Sequence, residues 1–402
     1  MAVIQSIQAR TIIDSRGHET LEVDVILDDG SLGRESVPSG ASTGQHEVFK
    51  LEDPAKSRAN ALSLGQQIVG QDPTQQEKID LILLQADGSE DKSTLGGNVL
   101  LALSLATAEA AAKAARKPLY EHLHDIAGLH APIGLPTPMF NVINGGKHSD
   151  NNLPFQEFML VPAADDRPFR DKVAIGRTLF AALKERLKGM GHTIAVGDEG
   201  GFAPRLNSNE EALEILVQTI EASPYKIGQD VTLAIDVAAS AIPDLAPVTY
   251  PLDPHTYFER LTTNYPISIL EDPLPEDDWN GWSRLAASIG SRLLVMGDDL
   301  TTTNPKRLRM AIDQRAINAI IIKPDQIGTL TETFQTMRLA EQAGIRCAIS
   351  HRSGETESTF IADLAAGAGA PYIKTGALSR SERVAKYNQL LRIEERLGGV
   401  RD

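Results

Sequence analysis

The sequence predicts an α/β fold: a succession of strand and helix units of the closed-barrel kind, preceded by a smaller α+β domain. Between Val231 and Thr375, short apolar runs each stop at a polar residue: VTLAI at Asp236, PISIL at Glu271, LLVMG at Asp298, INAIII at Lys323, CAIS at His351 and PYI at Lys374. Counted from stop to stop, the intervals of 35, 27, 25, 28 and 23 residues suit one strand, one loop and one covering helix. The opening residues instead alternate apolar and polar, and a long helical pattern follows. In a closed parallel barrel, strand ends converge on the face where catalysis is found. Three carboxylates, two lysines and a histidine would therefore share one pocket, a mixture suited to magnesium and an anionic substrate.

At 402 residues the chain exceeds one small core and suits a large domain plus a smaller one. The net charge of −15 disfavours a nucleic-acid surface, although metal and a few clustered basic groups can still hold an anion. Cys347, the single cysteine, lies in an apolar run, so no intrachain disulfide forms and a reducing cytoplasm is expected. The opening MAVIQSIQARTII lacks a charged segment followed by a sustained apolar core, so an untargeted protein is expected, and no apolar run reaches the ~18 residues needed to span a membrane.

In chain order, Leu21, Val23, Val25 and Leu27 alternate with Glu22 and Asp24, and Asp29-Gly30 turns into a return strand towards Val37. This is a hairpin with one buried face. PSGASTGQHE, Pro38 to Glu47, offers little to pack and is expected to be a mobile loop. From Ala55 to Leu123 the pattern is helical, with Val99, Leu103, Ala106 and Ala110 along one face. The three prolines of GLHAPIGLPTP divide an N-terminal α+β domain, residues 1–130, from a barrel domain, residues 131–402. Ser208 with Glu211 and Thr329 with Glu332 are capping boxes, and Asn304-Pro305 is a helix start. These signals place helices after the charged strand ends.

Across most of the chain, DSRG (14–17), SGASTG (39–44), INGGKH (143–148), QEFM (156–159), VGDEGG (196–201), ILEDP (269–273), GDDLT (297–301), SHRSGETE (350–357) and IKTG (373–376) resemble enolase, in that family's order. The resemblance implies a magnesium-dependent phosphopyruvate hydratase that converts 2-phosphoglycerate to phosphoenolpyruvate. It also implies an eight-stranded TIM-like β/α barrel with an α+β cap, whose early strands are not all parallel. Glu157 supports that last point independently: it precedes its apolar run FMLV and reaches the common pocket only if that strand runs backwards.

By resemblance, Asp236, Glu271 and Asp298 hold one magnesium, and Ser42 helps to hold a second that binds with substrate. Lys323 matches the general base, which needs a lowered pKa to work. Glu199 matches the general acid, with Glu157 beside it to share one proton. His148, Glu157, Arg352, Ser353 and Lys374 match substrate-facing residues, and His351 belongs with the catalytic set. Taken singly, each acid reads as a helix cap or a surface charge, and the HRS stretch as a solvated loop; their coincidence at successive strand ends favours a site. The resemblance further implies a small phosphorylated substrate and a homodimer or an octamer of dimers in the cytoplasm.

The chain departs from the family's pattern at His18-Glu19, where Asn-Pro is usual, at Ala241, where glutamate is common, and at Asp325, where asparagine is usual. An aspartate facing Lys323 would favour the ammonium form and weaken the base. These departures leave a second reading: an enolase paralogue acting on a related phosphorylated or phosphonate three-carbon acid in specialised metabolism. A third, a binding protein without turnover, is opposed by the intact acid, base and ligand set.

Overall fold

The computed structural model describes residues 2–41, 43–242 and 253–398. Ser42, the expected second-metal residue, lies outside the described residues. The alternating opening forms an antiparallel sheet of β1 (Ile4–Ile13), β2 (Glu19–Leu27) and β3 (Leu32–Ser36), in that order. Val23, Val25 and Leu27 are fully buried, as the alternation requires. Against this sheet lies the helix Gly97–Ala114, which contacts both β2 and β3.

That helix is buried almost all round rather than along the one face expected, with Glu109 and Lys113 among its few open positions. The sheet covers one side, and the helices Pro54–Gly65, Gln76–Asp87 and Leu119–Ala127 cover others. Its run of alanines makes close approach possible. Contact is closest at Gly33 on β3, where an added Cβ would meet Ala106 O at 1.9 Å and Ala110 N at 2.5 Å. Gly33→Ala is therefore expected to destabilise the protein by about 3 kcal/mol through overpacking. Thermal or denaturant unfolding checks this, and an unchanged midpoint would contradict it.

The larger unit is a closed barrel of eight strands: β4 (Thr137–Asn144), β5 (Glu157–Pro162), β6 (Val231–Asp236), β7 (Ile267–Glu271), β8 (Leu294–Gly297), β9 (Ala319–Ile322), β10 (Arg346–Ser350) and β11 (Tyr372–Lys374). Neighbours pair in chain order, and β11 closes on β4 through Tyr372 and Thr137. All pairings are parallel except the two made by β5, which is antiparallel to β4 and β6. Reversal puts Glu157, the first residue of β5, opposite Asp236, the last residue of β6. Met139, Met159, Ala234, Met296, Ile321 and Ala348 are among the side chains that pack the barrel interior, so the polar residues collect at its rim.

The helix starts form as expected. Ser208 accepts from Glu211 N, Thr329 from Glu332 N and Asn304 from Lys306 N, with Pro305 at the first helical turn. Between the units, the helix Leu119–Ala127 ends at Gly128 in a left-handed conformation, and β4 begins at Thr137. Among the described residues, no helix is long and apolar enough to cross a membrane.

Candidate active site

Six strand ends deliver their polar residues to one rim. Asp236, Glu271 and Lys374 end β6, β7 and β11, while Asp298, Lys323 and His351 directly follow β8, β9 and β10. Reversed β5 adds Glu157. All seven side chains are largely removed from water: Asp236, Glu157, His351 and Lys374 are at most 2% exposed, and Glu271 is fully buried. Charges buried so deeply require partners.

Lys374 Nζ provides one. It lies 3.0 Å from Glu157 Oε1, 3.1 Å from Asp236 Oδ2 and 2.8 Å from Glu271 Oε1. Burial works to lower this lysine, but the surrounding carboxylates hold it well above the ordinary lysine value. Lys323 pairs with Asp298 Oδ2. The expectation of a lowered Lys323 pKa is not met: burial pulls it down, yet the Asp298 carboxylate holds it above its ordinary value.

Asp236 and Glu271 thus converge on one ammonium and Asp298 on another. Among the described residues, the sets of three acidic or histidine side chains whose ligand atoms lie within 4.8 Å of one another are instead His148 with Glu157 and Glu199, and Asp272 with Asp298 and Asp299. The three expected ligands do fit a hard cation chemically. All offer oxygen only, all are buried, and Glu271, paired in register with Asp236, is pushed up to about 8 by burial and by that neighbour's charge. Such crowding of carboxylates is what a divalent ion relieves.

A second group surrounds Glu199. The turn that presents it needs Gly200 at φ +85°, where a Cβ would also lie 2.6 Å from Ser379 O. Glu199 Oε2 accepts from Asn141 Nδ2 at 2.8 Å and lies 3.4 Å from His148 Nδ1; Oε1 lies 3.4 Å from His351 Nε2. Glu157 is 3.9 Å from the same His148 nitrogen. Burial and then the Glu199 charge raise Glu157, whereas Glu199, although burial works to raise it, is held well below the usual range by the imidazoles of His148 and His351. Burial drives His351 itself down to about 4, so at neutral pH it meets Glu199 as a neutral ring. Burial thus favours the protonated form on Glu157, while Glu199, expected as the acid of the pair, is held as a carboxylate.

Sequence reasoning missed Arg383, on the helix Ser381–Arg396. Its fully buried guanidinium donates to His351 Nδ1, Arg352 O and Ser353 O, each at 2.6 Å. With Nδ1 accepting, the His351 proton sits on Nε2 and points at Glu199. Gln326 was also missed, although it lies in the stretch after Lys323: its Nε2 donates to Asp298 Oδ1 at 2.8 Å. His122, on the helix Leu119–Ala127, is a further buried histidine, 5% exposed.

The loop Pro38–Glu47 forms no helix, yet its described residues are tied to the barrel rather than free. Ser39 N donates to Gly354 O at 2.7 Å, Ala41 N to Ser353 Oγ at 2.6 Å and Gln45 N to Glu276 Oε2 at 3.0 Å. The hydroxyl of Ser353 is thereby turned to the loop. Arg352 follows the same side: Nη1 lies 3.0 Å from Glu47 Oε2 and 2.6 Å from Asp325 Oδ2. Asp325 therefore faces Arg352, not Lys323. Burial raises it to about 6, against the pull of Arg352, so it is mostly ionised at neutral pH. His18 and Glu19 are exposed, and Ala241 lies at the end of the short 3₁₀ turn Ala239–Ala241.

Two family models match the chain: one described as the N-terminal domain of enolase, over residues 4–123, and one described as the C-terminal TIM barrel domain of enolase, over residues 132–401.

Proposed function

Because the chain belongs to the enolase family of lyase-type enzymes, we propose that it eliminates water from 2-phosphoglycerate to give phosphoenolpyruvate, with magnesium held by Asp236, Glu271 and Asp298. The observation that carries this reading is the separation of the rim into an amine half, Lys323 and Lys374 among carboxylates, and an acid half, Glu199 and Glu157 with His148 and His351. Dehydration next to a carboxylate needs both a base for the carbon-bound proton and an acid for the departing hydroxyl.

Lys374 binds the substrate carboxylate, and Arg352, with the Ser353 turn, binds the phosphate. Lys323 removes the carbon-bound proton once the Asp298 carboxylate is engaged away from its ammonium. The proton passes from Glu157 to Glu199, which delivers it to the departing hydroxyl and whose orientation Asn141 and His351 fix. When bound, magnesium supplies positive charge for the doubly negative enediolate.

A coupled assay with 2-phosphoglycerate and magnesium tests the proposal. Phosphoenolpyruvate should form, and its absence at saturating substrate would favour the paralogue acting on a related phosphorylated or phosphonate three-carbon acid. The same reading places the protein in the cytoplasm as a homodimer or an octamer of dimers. Light scattering at micromolar concentration would contradict the assembly by returning a monomer.

A further inference from the structure

Arg352 is a single guanidinium held between two carboxylates. Glu47 reaches it from the cap loop, with Nη2 to Oε1 at 3.1 Å and Nη1 to Oε2 at 3.0 Å, and Asp325 reaches Nη1 from the opposite unit at 2.6 Å. The direction of Asp325 follows from the short turn Pro324–Ile327. Proline occupies the first helical position, Lys323 and Gln326 both bond Asp298, and the Asp325 carboxylate between them accepts instead from Arg352. Glu47, Arg352 and Asp325 border a cavity of about 260 Å³ that Thr43, Lys50 and Glu52 also line. Asparagine at this position would remove one of the two carboxylates that reach Arg352, and the aspartate adds a negative charge beside the guanidinium. An incoming oxyanion must compete with a buried acid for the same N–H groups.

We propose that Asp325 is a specificity-determining residue: by holding Arg352 it biases the site against a phosphate dianion and towards a substrate whose phosphorus group carries one negative charge, such as a phosphinate or a phosphonate monoester. This rests on the reading that Arg352 meets the phosphorus group, and it makes 2-phosphoglycerate a weakly held substrate. The cost of Asp325 grows with the charge of the ligand, because like-charge repulsion scales with the product of charges. A residue that only braced the fold would affect both ligand types alike.

Calorimetric titration of the whole protein, in magnesium at mildly alkaline pH, separates the possibilities with two small probes: methylphosphonate, a dianion, and dimethylphosphinate, a monoanion. Asp325→Asn should bind methylphosphonate about tenfold more tightly than the unmodified protein and dimethylphosphinate only about threefold more tightly. Equal changes for both probes, or none, would overturn the proposal. Should Asp325→Asn melt early, Glu47→Gln removes a charge from the other side of Arg352 and carries the same selective expectation. Arg352→Gln tests the underlying reading separately. If it binds both probes as the unmodified protein does, Arg352 is not the phosphorus-facing group and the proposal falls with that reading.

Discussion

Lys323→Ala is expected to lower turnover of 2-phosphoglycerate by about three to four orders of magnitude and to stop exchange of the carbon-bound proton with deuterated water. The exchange readout matters because elimination can be blocked at either of two proton transfers. Glu199→Gln should lose turnover to a similar extent yet retain exchange, since Lys323 and its pairing with Asp298 lie on the other half of the rim. Isotope uptake followed by NMR distinguishes the two variants. Exchange at the unmodified rate in Lys323→Ala would remove that residue from the base role.

Removing divalent cations is expected to abolish turnover, and restoring magnesium should raise the melting temperature by several degrees through binding to the folded state alone. Glu271→Gln gives this a readout independent of activity. Glu271 is fully buried, and burial together with Asp236 already pushes it up to about 8, so its charge is unfavourable in the protein without the ion. The amide should leave the metal-free melting temperature equal or higher and erase most of the magnesium response. A response as large as that of the unmodified protein would show that Glu271 is not a ligand.

The strand ends were legible in the sequence because a strand buried on both faces is written as an uninterrupted apolar run, and the residue that stops it is by necessity at the rim. The reversal of β5 was legible for the same reason, from Glu157 preceding its run instead of following it. Partner choice was not legible. Asp325 lies two residues from Lys323 in sequence, but Arg352, delivered by another strand, takes its carboxylate. Nor does anything around Arg383 mark it as the residue that fixes the His351 proton, since its helix reads as an ordinary charged one. The pairing of Lys323 with Asp298, which raises the lysine where a lowered value was expected, is likewise a product of which strand ends become neighbours. Local pattern sets where polar groups gather; the closed barrel decides which of them meet.

Closure of that barrel through Thr137 on β4 and Tyr372 on β11 also bears on how the protein is made. During synthesis, one edge of β4 has no native partner until Tyr372 has left the ribosome, although β5 can pair with its other edge early. For most of translation an apolar strand therefore presents an open row of backbone groups, the template on which chains pair wrongly with one another. The cap, whose sheet joins strands close in sequence, has no such wait. Its sheet should form while the barrel is still open, and demand for chaperones should peak late in elongation.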